Sequence, residues 1–301
     1  MSLASYHAKI RIFVYLCTMT IIDGKQISAS LKEALKEQVA TFPEKYGRVP
    51  HLVVVRVGED PASVVYVRNK AKACEACGIR NTTLVLPEET SEEALLSQVQ
   101  RLNADEGVDG ILVQLPLPRH ISEAKVIETI AREKDVDGFP PYNVAGLWQK
   151  TPHMSPCTPK GIMKLLESVG LDPKGKRAVV IGRSNIVGLP VAKMLLDANA
   201  TVTLCHTRTV NLPEVTREAD ILVVAAGRPK MVTAGMVKDG AVVIDVGMDR
   251  DPQTGKLCGD VDFDAVAPKC AAITPVPGGV GPMTIACLME NTVKCFLAGR
   301  D

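Results

Sequence analysis

The chain contains a series of short apolar runs rich in Val, Ile and Leu, most of which end at Gly or Pro. Because these runs are continuous rather than alternating, they are typical of strands buried on both faces of a sheet. Helix-like segments lie between them, so the pattern predicts an α/β fold with parallel sheets and right-handed crossovers. The runs are LVVVRVG (52–58), TTLVLP (82–87), GILVQLPLP (110–118), RAVVIG (177–182), TVTLC (201–205), DILVVAAG (220–227), AVVIDVG (241–247) and AAITPVPGG (271–279).

Helix starts and a domain break can also be located in this pattern. Asp60 followed by Pro61 predicts a helix N-cap and first turn, and Thr90 with Glu93 predicts a capping box. Pro282 predicts the start of a final helix, and Gly299 predicts its end. Residues 150–161, rich in Pro, Thr and Ser, separate two α/β series and predict the domain boundary.

Composition narrows the class of protein. The 301 residues predict about two domains at roughly 150 residues each. The 35 basic and 34 acidic residues leave a net charge of +1, whereas nucleic-acid binders usually carry a basic excess. No apolar run is long enough to span a membrane. We therefore expect neither a nucleic acid nor a membrane as a partner.

Nine cysteines occur without the spacing of a disulfide framework. With no clear export signal, they indicate reduced thiols and a cytoplasmic protein. Cys74 and Cys77 form one CxxC pair, which is either half of a zinc site or two small apolar residues on a helix. The five histidines lie far away in sequence, so we expect no metal.

Residues 177–209 have the order strand, tight turn, helix, strand. The turn places Gly182, Arg183 and Ser184 before Val187, a degenerate form of the GxGxxG dinucleotide fingerprint. A helix that begins there offers N–H groups to a phosphate. The alternative is a glycine required only by a tight turn between strand and helix.

The end of the next strand indicates which dinucleotide is bound. NAD sites usually carry an acid there for the ribose hydroxyls, but this chain has Thr207 and Arg208 and no acid. Hydroxyls and arginines favour a 2′-phosphate, so NADP is expected, with Arg183 as a further contact. For Arg208, a solvated surface charge is an equal alternative.

Several polar residues in the first half are candidates for chemistry. Tyr66 and Lys70 are four residues apart and share one helix face, where they either bind and protonate a flat substrate or are a half-buried Tyr and a solvated Lys. Gln114 lies in an apolar strand and serves either the backbone or a site at the sheet's carboxyl end. Asp135 and Asp137 lie in a turn that Asp-Gly chemistry alone also explains.

Taken together, these motifs resemble the bifunctional methylenetetrahydrofolate dehydrogenase/methenyltetrahydrofolate cyclohydrolase family, the FolD type. The resemblance extends in family order from about Ile21 to the C-terminus. The motifs that carry it are YVRNKAKACEACGI, DGILVQLPLP, KDVDGF, PCTPKG, GRSNIVGLPVA, TVTLCHTRT and PVPGGVGPMT.

The resemblance implies NADP-dependent oxidation of 5,10-methylenetetrahydrofolate to the methenyl form and its hydrolysis to 10-formyltetrahydrofolate. It implies that Lys70 transfers the proton in the hydrolysis, that Gln114 tunes Lys70, that Tyr66 stacks along the folate and that Asp137 hydrogen-bonds the pterin. Further substrate contacts are expected at Val113, Leu115, Pro277, Gly278 and Gly279. Cofactor contacts are expected at Gly182, Arg183, Ser184, Val187, Thr207, Arg208, Gly227, Met248 and Thr284.

The resemblance also implies an arrangement of domains. Residues 20–158 together with 288–301 are expected to form a folate-binding domain, and residues 159–287 a Rossmann NADP-binding domain, with the active cleft between them and a homodimer formed through the Rossmann domain. Residues 1–18 have no counterpart in the family core. They are interpreted either as upstream sequence before a true start at Met19, or as a targeting or membrane-facing segment.

Three alternative functions can be compared with the residues present in this sequence. A dehydrogenase with little cyclohydrolase activity does not explain Tyr66, Lys70 and Gln114 together. A regulatory folate- or nucleotide-binding protein does not need every motif position intact. An amino-acid or shikimate dehydrogenase shares the Rossmann half, but not the YVRNK or PVPGGVG motifs.

Overall fold

The structure is a computed structural model, and it describes residues 19–151, 153–298 and 300. The predicted extension, residues 1–18, and the predicted helix end at Gly299 lie outside the described residues. The strands are β1 (Thr20–Ile21), β2 (His51–Val57), β3 (Arg80–Leu86), β4 (Gly110–Val113), β5 (Arg177–Ile181), β6 (Thr201–Cys205), β7 (Ile221–Val224), β8 (Val242–Asp245), β9 (Asp249–Arg250), β10 (Leu257–Cys258) and β11 (Ala272–Ile273). The α-helices are α1 (Gly24–Ala40), α2 (Phe42–Tyr46), α3 (Pro61–Ala76), α4 (Glu92–Ala104), α5 (Glu123–Thr129), α6 (Pro141–Trp148), α7 (Cys157–Ser168), α8 (Gly188–Asp197), α9 (Leu212–Thr216), α10 (Phe263–Val266) and α11 (Val280–Leu297).

The second half of the chain builds a parallel sheet with strand order β1-β11-β8-β7-β5-β6. Around its centre, β6, β5, β7 and β8 correspond to strands 2, 1, 4 and 5 of the doubly wound Rossmann order. The chain reverses direction across the sheet between β5 and β7, which leaves a crevice at their carboxyl ends. The predicted Rossmann-type architecture is confirmed.

The first half builds a smaller parallel sheet with strand order β3-β2-β4. Every residue of β2 is buried, as the continuous apolar run predicts. In β3 and β6 most residues are exposed or half-buried instead, because each is an edge strand with a neighbour on one side only. The prediction of strands buried on both faces is therefore wrong for these two.

Helix α11 belongs to both halves of the molecule. Its first turns, with Val280 and Met283, pack in the core of the larger sheet. Its last turns, with Leu288, Val293 and Phe296, pack in the core below β2. Helices α1 and α7 lie alongside it across the junction.

The domain boundaries set from the sequence remain a prediction, and two features of the structure bear on them. The return of α11 to the first unit agrees with a break near residue 288. Strand β1, however, pairs with β11 at the edge of the larger sheet, although residue 20 was assigned to the first unit. Residues 157–161 of the expected linker form the first turns of α7.

Two helix starts differ from the sequence prediction. The cap of α4 is Ser91, whose Oγ accepts the N–H of Ala94 at 3.2 Å, whereas Thr90 donates to the carbonyl of Pro87. Helix α11 begins at Val280 rather than at Pro282, since Pro is also tolerated within the first turn. The predicted cap of α3 is confirmed, with Asp60 accepting the N–H of Ser63 at 2.7 Å.

Candidate active site

A cavity of about 360 Å³ lies between the two sheets, at the carboxyl ends of β4 and β8. It is the place where ligands bind in open α/β sheets. All of the predicted folate residues and three of the predicted cofactor residues line it. They are Tyr66, Lys70, Val113, Gln114, Leu115, Asp137, Val187, Met248, Pro277, Gly278, Gly279 and Thr284.

Lys70 and Gln114 form a pair at one side of this cavity. Lys70 lies on α3, and Gln114 directly follows β4, so the pair joins a helix to the carboxyl end of a strand. The Nζ of Lys70 donates to Oε1 of Gln114 at 2.9 Å, and the amide of Gln114 donates to the carbonyl of Leu115 at 2.6 Å. Burial lowers the pKa of Lys70, and the nearby Asp137 opposes that shift. The amine is therefore closer to proton exchange near neutral pH than an exposed lysine.

The turn after residue 134 contains two acids, Asp135 and Asp137, whose side chains have different surroundings. Asp135 is buried and holds the turn, accepting N–H bonds from Asp137 at 3.1 Å and Gly138 at 3.0 Å and a further bond from the side chain of Asn143. Burial raises its pKa to about 6. Asp137 instead faces the cavity, where burial raises its pKa and Lys70 opposes the shift. Only Asp137 is placed to meet a ligand.

Tyr66 connects the two walls of the cavity. It lies one turn before Lys70 on α3, and its hydroxyl donates to the sulfur of Met248, which follows β8. Burial raises the pKa of Tyr66, so the phenol is protonated and available as a donor. Tyr66 and Lys70 both line the cavity, as the shared helix face predicts.

The glycine-rich loop before α11 forms another wall. Gly278 has φ of +120°, a conformation that side chains rarely adopt. Its carbonyl accepts the N–H of Lys25 at 3.0 Å, and a Cβ added at Gly24 would lie 1.8 Å from the carbonyl oxygen of Gly279. This loop therefore lies directly against the start of α1, which fixes it along the cavity.

The predicted dinucleotide turn adopts a tightly packed conformation. Gly182 has φ of +117°, and a Cβ there would lie 2.1 Å from the carbonyl oxygen of Ala225. A Cβ at Gly188 would lie 2.2 Å from the carbonyl oxygen of Gly182. Ser184 accepts the N–H groups of Val187 and Gly188 at 3.2 and 3.4 Å. The Ser184 hydroxyl thus occupies two N–H groups at the start of α8. The fingerprint alone predicts that such N–H groups are free for a phosphate, but these two are already bonded.

Arg183, Thr207 and Arg208 lie outside the cavity lining, at the carboxyl ends of paired strands. Ile181 of β5 is in register with Cys205 of β6, so the loops that follow are neighbours. All three side chains are exposed, and residues 206–209 include no acid. Exposed cationic and hydroxyl groups without a carboxylate fit a dinucleotide with a 2′-phosphate.

Gly227 follows β7 and also lies away from the cavity lining. Its N–H donates to Oδ2 of Asp260 at 3.1 Å, so this N–H is already bonded. Any contact of Gly227 with a cofactor therefore uses its exposed surface rather than its amide.

Two residues with polar side chains on the cavity wall were missed from the sequence. Thr158 on α7 lies 3.0 Å, oxygen to oxygen, from Thr284 on α11. Asp245 ends β8 and is 3% exposed. An acid at the end of an apolar strand, in VVIDVG, was a signal for Asp245. For Thr158 the PCTPKG motif was the only signal.

Among the described residues, no three His, Cys, Asp or Glu side chains are grouped so that they would hold a metal ion. Cys74 and Cys77 are buried thiols on and just after α3. None of the described helices has the length and apolarity needed to cross a membrane.

Comparison with known proteins gives one consistent result. The family model described as tetrahydrofolate dehydrogenase/cyclohydrolase, catalytic domain, matches residues 22–137, and the corresponding NAD(P)-binding domain matches residues 156–299. The bifunctional protein FolD of Neisseria gonorrhoeae is 57% identical over 273 residues, which cover 91% of this chain and 96% of that relative.

Solved structures agree with the sequence relatives. The bifunctional FolD of Campylobacter jejuni has a TM-score of 0.89 at 51% identity, covering 92% of this chain and 98% of that chain. The Trypanosoma brucei FolD, complexed with NADP cofactor and inhibitor, has a TM-score of 0.90 at 42% identity. The match covers 94% of this chain and 98% of that chain. With both halves matched in order and the predicted folate residues gathered around one cavity, the chain belongs to the tetrahydrofolate dehydrogenase/cyclohydrolase family.

Proposed function

We propose that this chain oxidises 5,10-methylenetetrahydrofolate to the 5,10-methenyl cation with NADP and hydrolyses that cation to 10-formyltetrahydrofolate. The observation that carries the proposal is one cavity with the Lys70–Gln114 pair on one side and the Rossmann unit on the other. A substrate held there meets both a proton acceptor and a dinucleotide site. Both reactions of the family therefore have the groups that they need.

Lys70 is assigned to the hydrolysis. Water that attacks the methenyl carbon must lose a proton, and the amine with the lowered pKa accepts it. The substrate is itself a cation, which repels the ammonium form and favours the neutral amine further. Gln114 holds the amine in place through its Oε1.

Asp137 and Tyr66 are assigned to folate binding. Asp137 lies half-buried on the cavity wall, where its carboxyl can pair with the N–H groups of a pterin. The ring of Tyr66 offers a flat surface to the substrate. Val113, Leu115 and the 277–279 loop complete the apolar walls.

Bound NADP supplies the acceptor for the hydride that leaves the folate. The turn at Gly182 and Ser184 and the exposed Arg183, Thr207 and Arg208 are assigned to its phosphates and ribose. Val187, Met248 and Thr284 lie where the two ligands meet, because they line the cavity with the folate residues. Gly227 is assigned to the neighbouring surface.

A spectroscopic experiment tests the two reactions. Methylenetetrahydrofolate and NADP are supplied to the enzyme, and absorbance follows methenyl formation and decay. Lys70→Met should lower the hydrolysis rate roughly 10²-fold or more, because the proton acceptor is removed. The methenyl form should then accumulate. Lys72→Met, an exposed lysine on the same helix, is the control and should behave as wild type. Unchanged hydrolysis in Lys70→Met would refute the assignment.

A second experiment tests the cofactor assignment. Turnover is compared with NADP and NAD at equal concentration, and NADP should be strongly preferred. Arg183→Ala should raise the KM for NADP while leaving that for NAD nearly unchanged, because NAD has no 2′-phosphate for the guanidinium to bind. A strong NAD preference would contradict the interpretation of Thr207 and Arg208.

We further infer a homodimer and a cytoplasmic location. Strand β6 is a sheet edge. The apolar side chains of Leu204 on β6, Leu196 on the adjacent helix α8 and Val210 beyond β6 are 37%, 51% and 79% exposed. Such an edge is suited to pairing with a second copy. The described cysteines are free thiols, which supports a reducing compartment. Light scattering of the purified protein tests the dimer.

A further inference from the structure

Asp245 is a buried acid on the Rossmann side of the cavity. It ends β8, and its carboxylate accepts three backbone N–H bonds, from Gly247 at 2.9 Å and from Asp260 and Val261 at 3.0 Å each. Residues 246–248, which follow it, line the cavity. The carboxylate therefore ties the cavity wall to the segment around residue 260.

Asp260 continues this connection. Its side chain is fully buried and accepts three further N–H bonds, from Ala226 at 2.6 Å, Gly227 at 3.1 Å and Arg228 at 2.6 Å. Residues 226–228 follow β7, next to the crevice of the sheet. Two acids thus link the backbone beyond β7 to the cavity wall beyond β8.

The backbone around the two acids leaves no room for side chains. A Cβ at Gly259 would lie 1.9 Å from Oδ2 of Asp245, and a Cβ at Gly247 would lie 2.3 Å from the amide nitrogen of Asp260. The two glycines allow the N–H groups to approach the carboxylates. The local chain is built around the acids.

The burial of Asp245 has an energetic cost. Burial raises the pKa of Asp245 to about 7, even though three N–H groups favour its charged form. Asp249, which follows Met248, has a buried Oδ2 without a hydrogen-bond donor among the described residues, and burial together with the nearby Asp260 raises its pKa. Burying a carboxylate costs free energy that its hydrogen bonds must offset, so the use of acids at this wall requires another explanation.

We propose that Asp245 and Asp260 are positioning residues for the oxidation, holding residues 226–228 and 246–248 as one rigid surface for the cofactor. The surface extends to the folate-binding side of the cavity, because the sulfur of Met248 accepts a hydrogen bond from the hydroxyl of Tyr66. Hydride transfer is sensitive to small displacements of the reacting groups. A rigid wall that holds the cofactor in place therefore raises the rate of the oxidation. The hydrolysis depends on Lys70, on the opposite side. The proposal rests on the proposed function.

Asp245→Asn and Asp260→Asn test the proposal, because each keeps the side-chain shape and removes one of the two acceptor oxygens. Asp264→Asn, at an exposed position of α10, is the control. We expect the two variants to lower kcat/KM of the oxidation by at least about tenfold, through the KM for NADP or kcat. Hydrolysis of added methenyltetrahydrofolate should fall by a much smaller factor than the oxidation, and it also reports the folded fraction.

Hydrogen exchange of the cofactor-free protein provides a readout that does not depend on activity. The amides of residues 226–228 should exchange faster in Asp260→Asn, and that of Gly247 faster in Asp245→Asn. Equal loss of both activities would mean that the acids act only on folding, and unchanged oxidation would mean that they do not position the cofactor. Either result overturns the proposal. A wild-type enzyme without either activity would instead refute the proposed function.

Discussion

At the scale of single residues, the proton affinity of Lys70 is set by its surroundings rather than by its own chemistry. Gln114 is neutral, so it orients the ammonium without adding to its charge stabilisation as a carboxylate would. Replacing Gln114 by charged or apolar residues of similar size therefore changes the pKa of Lys70 in opposite directions.

Gln114→Glu should move the rising limb of the pH–hydrolysis profile to higher pH by about one to three units, because a carboxylate stabilises the ammonium. Gln114→Met should move it to lower pH, since the ammonium loses an acceptor. Rates of methenyltetrahydrofolate hydrolysis measured across the pH range check both shifts. Gln149→Glu, an exposed position, is the charge control and should leave the profile in place. Shifts in the same direction for both variants at Gln114 would contradict this account.

Asp135 links pH to stability. Its pKa of about 6 in the folded protein lies above the ordinary value of 3.8, so the folded state holds a proton that the unfolded state loses between these values. The stability that this group contributes is present at low pH and is lost as pH rises through about 6. The difference in unfolding free energy between wild type and Asp135→Asn should fall by about 2 kcal/mol from pH 4 to pH 7. Denaturant titrations at several pH values measure it, and a difference that rises with pH would contradict the assignment.

At the scale of elements, sequence patterns located most strands, but not their exposure or their ends. Each of the eight apolar runs contains a strand, because burial of continuous Val, Ile and Leu is the dominant force there. Edge positions are fixed by which strands pair, which depends on distant parts of the chain. Strand β1 was missed because two residues carry no periodicity.

The turn between β5 and α8 offers a test of why glycine is required there. Gly182→Ala combines an unfavourable φ with a Cβ 2.1 Å from a backbone oxygen. Gly255→Ala, with φ of +68° and no atom within 4 Å of the added Cβ, has the unfavourable φ alone. Gly255→Ala should cost about 1 kcal/mol. Gly182→Ala should cost several times more and abolish NADP binding by displacing the turn. Thermal unfolding and NADP titration separate the two, and equal effects would refute the steric argument.

At the scale of the whole molecule, the candidate site joins residues far apart in sequence. Tyr66 and Met248 are 182 positions apart and share a hydrogen bond. Twelve of the residues named from the motifs and the family resemblance line one cavity, because each motif keeps its own local shape. The Asp245–Asp260 connection could not be predicted, because its partners are backbone N–H groups that any sequence provides.

Sharing of α11 between the two cores predicts how the whole molecule unfolds. Phe296 is fully buried in the first core, where its ring stacks on Phe42 with centroids 5.1 Å apart. Phe296→Ala should destabilise the protein by about 3–5 kcal/mol, and Val85→Ala, at a 50% exposed residue of the edge strand β3, is the mild control.

The single tryptophan, Trp148, provides a local signal from the junction, since Lys193 of α8 lies 5.8 Å from its ring. Because α11 cannot leave one core without disturbing the other, tryptophan fluorescence and far-ultraviolet circular dichroism should give one coincident transition in both proteins. The transition should move to lower denaturant in Phe296→Ala. Two separate transitions, or a fluorescence midpoint that does not move, would show that the two units unfold independently and that α11 does not couple them.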